Sequence, residues 1–367
     1  MEKIKVLIVD DSAFMRKLIQ DFLSEHPKMN IIGTARNGED AIKKIKELKP
    51  DVVTMDIEMP VMNGLEALKR IMKEHPVPVV MLSSTTKEGA ENTILAVQYG
   101  AADFIAKPSG AISLDLHKVK EELIQKVLSA SHANLKQLLK SHTNVKSTTI
   151  SVRDYSKIEP RVFDTKISQS SSTIWNATQK KLICIGTSTG GPRALQHVIT
   201  KLPKNLQAAV LVVQHMPAGF TKSLANRLDS LSEISVKEAE DGEIIKKGTV
   251  YIAPGGYHLK VINVGTSLAI KLDQTDARNG HRPSVDVMFE SVSELRDYSK
   301  IAVIMTGMGA DGSKGLVELK KHGAVKAIAE SSETSIVFGM PKAAIATQLV
   351  DEVKNVESIA ESILKYV

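Results

Sequence analysis

At 367 residues the chain exceeds what one ordinary core fills, and two domains are expected. A hydrophobic share of 43% against 25% charged residues excludes a disordered chain, and no apolar run nears the roughly 18 residues of a membrane-spanning helix, which excludes an integral membrane segment. The formal charge of +6 invites a nucleic-acid reading, but residues 131–180 hold eight Lys/Arg against three Asp/Glu; the flanking regions are near balance, and no nucleic-acid partner is expected.

The N-terminal "KIKVLIVDDS" has an apolar run too short for a secretory signal and reads as a strand. From there to about residue 108, the runs "KVLIVDDS", "NIIGTA", "DVVTMDIEMP", "PVPVVMLSS" and "ADFIAKP" alternate with amphipathic stretches such as "EDAIKKIKEL". That alternation predicts a five-stranded parallel sheet with helices on both faces. "LDLHKVKEELIQKVL" adds a last helix, and residues 129–178, rich in Ser, Thr, Lys and Asn, read as a linker with a helical pattern near "ANLKQLLK". Alternation resumes with "KLICIG", "AAVLVVQHMP", "GTVYIAPGGYHL", "LAIKL", "IAVIMTGMGADG" and "AVKAIAE", with a hairpin expected near 250–272. The expected organisation is a domain over 1–128, a linker over 129–178 and a domain over 179–367. Both domains are read as α/β with doubly wound parallel sheets, the first flavodoxin-like and the second Rossmann-like. Cys184, the single cysteine, permits no internal disulfide, fits a reducing cytoplasm and reads as a buried hydrophobe.

In an open parallel sheet, residues at the carboxyl ends of the strands meet along one edge. Those ends carry Asp10, Asp11, Asp56, Ser83, Ser84 and Lys107 in the first domain. Like charges 4 Å apart repel by about 4 kcal/mol at an effective dielectric of 20, so three carboxylates call for a cation, and an all-oxygen donor set suits Mg²⁺. A carboxylate beside that metal can attack a phosphoryl group, while a lysine and a serine hydroxyl neutralise its oxygens. The "DD" pair, "MDIEMPVMNGLEAL", the serine after the fourth strand and "FIAKP" together resemble the receiver domain of two-component response regulators, over residues 1 to about 125. The resemblance implies that Asp56 is the phospho-acceptor, that Asp11 and the backbone carbonyl of Glu58 join it as Mg²⁺ ligands with Asp10 alongside, and that Ser83 and Phe104 are a switch pair.

The turn "GTSTGG" at 186–191 admits three readings. As a phosphate loop it lacks the lysine and hydroxyl residue that nucleotide hydrolysis needs, since Pro192 and Arg193 follow. As a plain strand-to-helix turn it needs nothing further. As G-x-S-x-G it presents Ser188 as a nucleophile and requires a base and an acid elsewhere. His215, after the next strand, falls on the same sheet edge, whereas His197 and His322 lie in helical patterns and His258 and His281 follow loops. The acid is expected at Asp311 in "TGMGADG", with Asp286 as the alternative. That motif also spells G-x-G-x-x-G with Glu330 about 20 residues on, a dinucleotide fingerprint, but Asp311 would put an anion where a pyrophosphate sits.

"GTSTGGPRAL", "VVQHMPAGFTKSLANRLD", "YIAPGGYHL", "RPSVDVMFESV", "TGMGADG" and "FGMPKAAI" resemble the catalytic domain of the chemotaxis protein-glutamate methylesterases, the CheB family, over 181–367. This resemblance implies a serine carboxylic-ester hydrolase that needs no cofactor for ester hydrolysis, with Ser188, His215 and Asp311 as its triad. The Met308 amide and the neighbouring Thr189 are implied at the oxyanion hole. The substrate implied is the γ-methyl ester of glutamates on chemoreceptors, with glutamine deamidation in some members, a chemotaxis histidine kinase as phosphodonor, and a cytoplasmic location. The family's usual alanine after Gly186 is Thr187 here, a change expected to leave the chemistry untouched.

Overall fold

All five N-terminal apolar runs become strands of one sheet. The computed structural model describes residues 3–107, 113–139, 175 and 179–367, with 113–118 described by their backbone alone. In chain order come β1 (Ile4–Val9), α1 (Ala13–Ser24), β2 (Met29–Ala35), α2 (Gly38–Leu48) and β3 (Val52–Asp56). They are followed by α3 (Gly64–Glu74), β4 (Val79–Ser83), α4 (Lys87–Gln98), β5 (Asp103–Ala106), α5 (Ser113–Ser131) and α6 (Leu135–Leu139). The sheet order is β2-β1-β3-β4-β5, every ladder parallel. Val6 to Val9, Val52, Val53 and Val79 to Met81 are fully buried, as strands covered on both faces require. Four helices start alike: Ser12, Asn37, Asn63 and Thr86 each accept from the amide three residues on. The order reverses between β1 and β3, so Asp10, Asp11 and Asp56 share the crevice at that point.

The second domain runs β6 (Lys180–Thr187), α7 (Gly191–Ile199), β7 (Ala208–Gln214), α8 (Phe220–Leu231), β8 (Ser235–Glu238) and β9 (Thr249–Ile252). Next are β10 (His258–Val264), β11 (Ser267–Asp273), α9 (Val285–Ser293), β12 (Tyr298–Ile304) and α10 (Ser313–Lys321). The chain closes with β13 (Val325–Glu330), α11 (Met340–Ala346), β14 (Glu352–Lys354) and α12 (Val356–Leu364). Seven strands form a parallel sheet in the order β14-β13-β12-β6-β7-β9-β8, and β10 and β11 make the expected hairpin over 258–273. The edge strands β8 and β14 were not among the expected runs, because "SVKE" and "EVK" carry no apolar stretch and gain their pairing from a neighbour. Cys184 is fully buried in β6, and burial pushes its thiol up to about 12.

α5 continues to Ser131, and α6, inside the expected linker, packs on the second domain. The Asn134 amide donates to Ile336 O at 2.9 Å, Gln137 Nε2 to Glu333 O at 2.6 Å, and Arg193 to Gln137 O. The rest of that linker, apart from Trp175, which stands edge-on to Tyr366, lies outside the described residues. Among the described residues, no helix is long and apolar enough to cross a membrane.

Candidate functional site

β6, β7 and β12 lie side by side, so the loops that leave their carboxyl ends converge. Thr187 pairs with Gln214, the last residues of β6 and β7, which puts Ser188 opposite His215. Ile304 pairs with Gly186 on the other side, and the loop after β12 returns Asp311 to the same edge. Ser188 is half-buried, its amide donating to Thr306 O at 3.0 Å. His215 Nε2 stands 2.8 Å from Asp311 Oδ2, while Nδ1 is buried without a partner. Ser188 Oγ makes no hydrogen bond to either ring nitrogen among the described residues, and Nδ1 is the one left unpaired.

Burial alone would raise the Asp311 carboxyl, but the hydrogen bond and charge of His215 and the amides of Val285 and Asp286 outweigh it and hold it well below the usual range. Ser284 Oγ adds a bond at 2.8 Å and Asn279 Nδ2 a longer one at 3.4 Å. Asp286, the alternative acid, faces away from the imidazole: its Oδ1 accepts the Gly312 and Gly315 amides at 2.9 and 2.7 Å, anchoring the start of α10. Asp311 accepts the Val285 and Asp286 amides, so the G-x-G-x-x-G turn spends its glycines on this packing and leaves an anion where a dinucleotide phosphate would go.

His281, which the sequence places only after a loop, stacks on His215 with ring centroids 3.8 Å apart and planes 12° from parallel. Burial and the adjacent His215 push it down to about 3, so a neutral ring covers His215. No local signal marks it, since its position depends on the fold of residues 274–284. Gly307 sits tight against Ser188: a Cβ there would lie 2.7 Å from Ser188 Cβ. The next amide, Met308, and that of Thr189 donate to no acceptor among the described residues. Thr187, expected to be inert, is fully buried with its hydroxyl on Gln214 at 2.6 Å.

Beneath this turn lies Glu330, the residue a dinucleotide fingerprint would have put on a ribose. It is 1% exposed, accepting from the Thr306 amide at 2.8 Å and Thr334 Oγ1 at 2.9 Å. Burial, partly offset by the Thr306 and Thr334 hydrogen bonds and reinforced by the Glu357 charge, pushes its carboxyl up to about 7. Between its ordinary value of 4.5 and 7 the folded protein therefore keeps a proton that the unfolded chain has lost, so stability falls as pH rises through that window. Glu330→Gln is expected to remove that slope, on the order of 3 kcal/mol at most, and to melt above the wild type at pH 8 but with it near pH 4.5. Parallel melting curves across that range test this. Asp56, pushed up to about 6, slopes the same way in both proteins and drops out of the difference.

At the edge of the first sheet, carboxylate oxygens of Asp10, Asp11 and Asp56 lie within 4.8 Å of one another. Lys107 Nζ is 2.7 Å from Asp56 and 3.0 Å from Asp10. Burial is the main cause of the raised Asp56 carboxyl, with the Asp10 charge adding to it, an environment that favours a divalent cation. The residues fit Mg²⁺ as an all-oxygen set. The Glu58 amide donates to Asp56 Oδ1 at 3.3 Å and its carboxylate accepts from Ser84 Oγ at 3.2 Å, so its side chain lies outside the acidic group.

Contacts at the domain boundary lie close to both edges. Ser83 is fully buried with its hydroxyl on Gly89 O at 2.9 Å, tied to α4, and the Phe104 ring stacks on Phe220, the first residue of α8, at 5.1 Å. Asp103 accepts from Thr189 Oγ1 at 2.5 Å and from Lys126 Nζ at 3.2 Å, and Ser129 Oγ meets Thr189 Oγ1 at 3.3 Å. The Thr189 hydroxyl, next to Ser188, is thus held by the first domain.

Comparison with known proteins follows the same division. A family model described as CheB methylesterase matches residues 183–363, and one for the response regulator receiver domain matches 6–117. The chain is 58% identical over 367 residues to a protein-glutamate methylesterase/protein-glutamine glutaminase of Geobacillus kaustophilus, covering 100% of this chain and 99% of the relative. A protein of the same description from Bacillus subtilis is 53% identical over 360 residues, covering 98% and 97%. The crystal structure of the Thermotoga maritima CheB methylesterase catalytic domain matches 52% of this chain and all of its own, at 48% identity and a TM-score of 0.50.

Proposed function

Because the chain belongs to the CheB methylesterase family, with a receiver domain preceding the catalytic one, we propose that Ser188, His215 and Asp311 are the triad of a receiver-controlled ester hydrolase. The activity is that of a protein-glutamate methylesterase/protein-glutamine glutaminase in chemotactic adaptation. The observation that carries the residue assignment is the pairing of His215 with Asp311 at 2.8 Å, on the sheet edge where Ser188 leaves β6.

Ser188 Oγ attacks the γ-carbonyl of a methylated glutamate as its proton passes to His215 Nδ1. Asp311, kept anionic by its donors, stabilises the imidazolium. The amides of Met308 and Thr189 receive the oxyanion. His215 then protonates the departing methoxide, methanol leaves, and a water deprotonated by His215 hydrolyses the acyl-enzyme to glutamate and free Ser188. On a glutamine substrate the leaving group is ammonia.

In the receiver, Asp56 is the phospho-acceptor. Mg²⁺ would be held by Asp11, Asp56 and the Glu58 carbonyl with Asp10 alongside, and it supplies charge neutralisation during phosphoryl transfer. Lys107 neutralises the transferred group, and Ser83, on leaving Gly89, hydrogen-bonds it. The residue range 1–128 is the receiver, 129–178 the linker, less its first turns docked on the catalytic domain, and 179–367 the catalytic domain. The substrate is a methylated chemoreceptor, the phosphodonor a chemotaxis histidine kinase and the location the cytoplasm.

The test is methanol release from methylated receptor membranes, with and without a small-molecule phosphodonor. Release is expected to rise with phosphodonor in the presence of Mg²⁺. EDTA is expected to abolish that rise and leave basal release intact; loss of basal release as well would mean that the esterase itself depends on a metal.

A further inference from the structure

Gln214 closes β7 one residue before His215, 2% exposed, and takes no part in the reaction steps above. Both ends of its amide are held. Nε2 donates to Ser188 O at 3.0 Å and to His215 O at 3.2 Å, so one side chain bridges the backbone of the residue read as nucleophile and that of the residue read as base. Oε1 accepts from the Thr187 hydroxyl at 2.6 Å. The other acceptor near that hydroxyl, Val213 O, is at 3.5 Å, at the limit of a hydrogen bond.

The surroundings are shaped to admit this amide. A Cβ on Gly191 would lie 1.8 Å from Gln214 Oε1 and 2.8 Å from Thr187 Oγ1, so the first turn of α7 approaches closely enough that only glycine leaves room. The Gly191 amide also donates to Ser188 O at 2.7 Å, and the His215 amide to Thr187 O at 3.2 Å. Two carbonyls on one side can be met only by the NH₂ end, which leaves Oε1 in a dry site in need of a donor. Thr187, fully buried, supplies it.

Resting on the reading of Ser188 as nucleophile and His215 as base, we propose that Gln214 is a positioning residue that brackets the nucleophile turn against the base loop, and that the Thr187 hydroxyl orients its amide. Misplacement of a reacting group by about 1 Å costs up to about 10²-fold in rate, so loss of the bracket reads as a loss of kcat.

The experiment uses the full chain, phosphodonor and methanol release, with thermal melting of each variant. Thr187→Val, which keeps shape and removes the hydroxyl, is expected to lower kcat by about 10-fold or more with KM unchanged. Thr187→Ser, which restores the hydroxyl, should lie within about 3-fold of wild type. Gln214→Met should match Thr187→Val or fall below it, and the double variant should be no slower than Gln214→Met alone, because both changes break one device. Wild-type kcat in Thr187→Val, equal losses in Val and Ser variants, or multiplicative losses in the double variant would each overturn the proposal. If Gln214→Met does not fold, the Val and Ser pair decides alone. Ser188→Ala in the same assay separates the levels: a live Ser188→Ala sinks the triad reading, whereas a dead Ser188→Ala beside a wild-type Thr187→Val sinks only this one.

Discussion

Ser188→Ala is expected to reduce methanol release by about 10⁴-fold or more while leaving the melting temperature near that of the wild type. The size follows from the chemistry removed: without a hydroxyl no acyl-enzyme forms, and His215 has nothing to deprotonate but water. What survives is catalysis by the oxyanion donors and by binding alone, which in triad enzymes leaves about 10³ to 10⁴-fold over water. Stability is spared because the Ser188 side chain has no hydrogen bond among the described residues, its amide and carbonyl carrying the turn instead. Asp311→Asn should fall comparably far: placed at Oδ1, its NH₂ would face Ser284 Oγ and the Asp286 amide, and placed at Oδ2 it would face the Val285 amide and His215, so in either orientation a native donor loses its acceptor. The double variant should be no worse than Ser188→Ala, as expected for groups that act as one unit. Retention of a few per cent of wild-type turnover by Ser188→Ala would remove the serine from the mechanism.

Asp56→Asn is expected to abolish stimulation by phosphodonor and to keep basal release, the second large effect. Phosphorylation adds about −1.5 to −2 of charge at a residue held by Lys107 at 2.7 Å. Lys107 then has a stronger partner, and Ser83, bonded to Gly89 in α4, can turn towards the phosphoryl oxygens. Phe104 is stacked on Phe220, and its neighbour Asp103 holds Thr189, so a change at Ser83 and Phe104 is expected to reach the contacts that hold the turn at Ser188. A stimulation of about 10-fold requires only about 1.4 kcal/mol of bias, the scale of one or two hydrogen bonds. A phosphodonor response of wild-type size in Asp56→Asn would place the control elsewhere.

Much of the architecture was readable along the chain. Runs such as "KVLIV" and "AAVLVV" are apolar on both faces, which only a sheet covered on both sides tolerates, and the alternation with helical patterns makes the sheets parallel. Once parallel strands are granted, their carboxyl ends must meet, and Asp10, Asp11, Asp56, Lys107, Ser188 and His215 fall at one edge or the other without further information. The short edges β8 and β14 escaped because their stability comes from the strand beside them and leaves no apolar signature.

The sequence favoured Asp311 over Asp286 as the acid, although both are acids near helix starts. In the fold Asp311 meets the imidazole, whereas Asp286 accepts the amides at the start of α10. His281 on His215, Gln214 between the two loops and Asp103 on Thr189 were equally silent. Periodicity reports which face of an element is buried and where an element ends, because those are set by neighbours a few residues away. Which polar groups then touch across 27 to 96 residues of chain depends on packing of the whole sheet edge, and only the tertiary structure decides it.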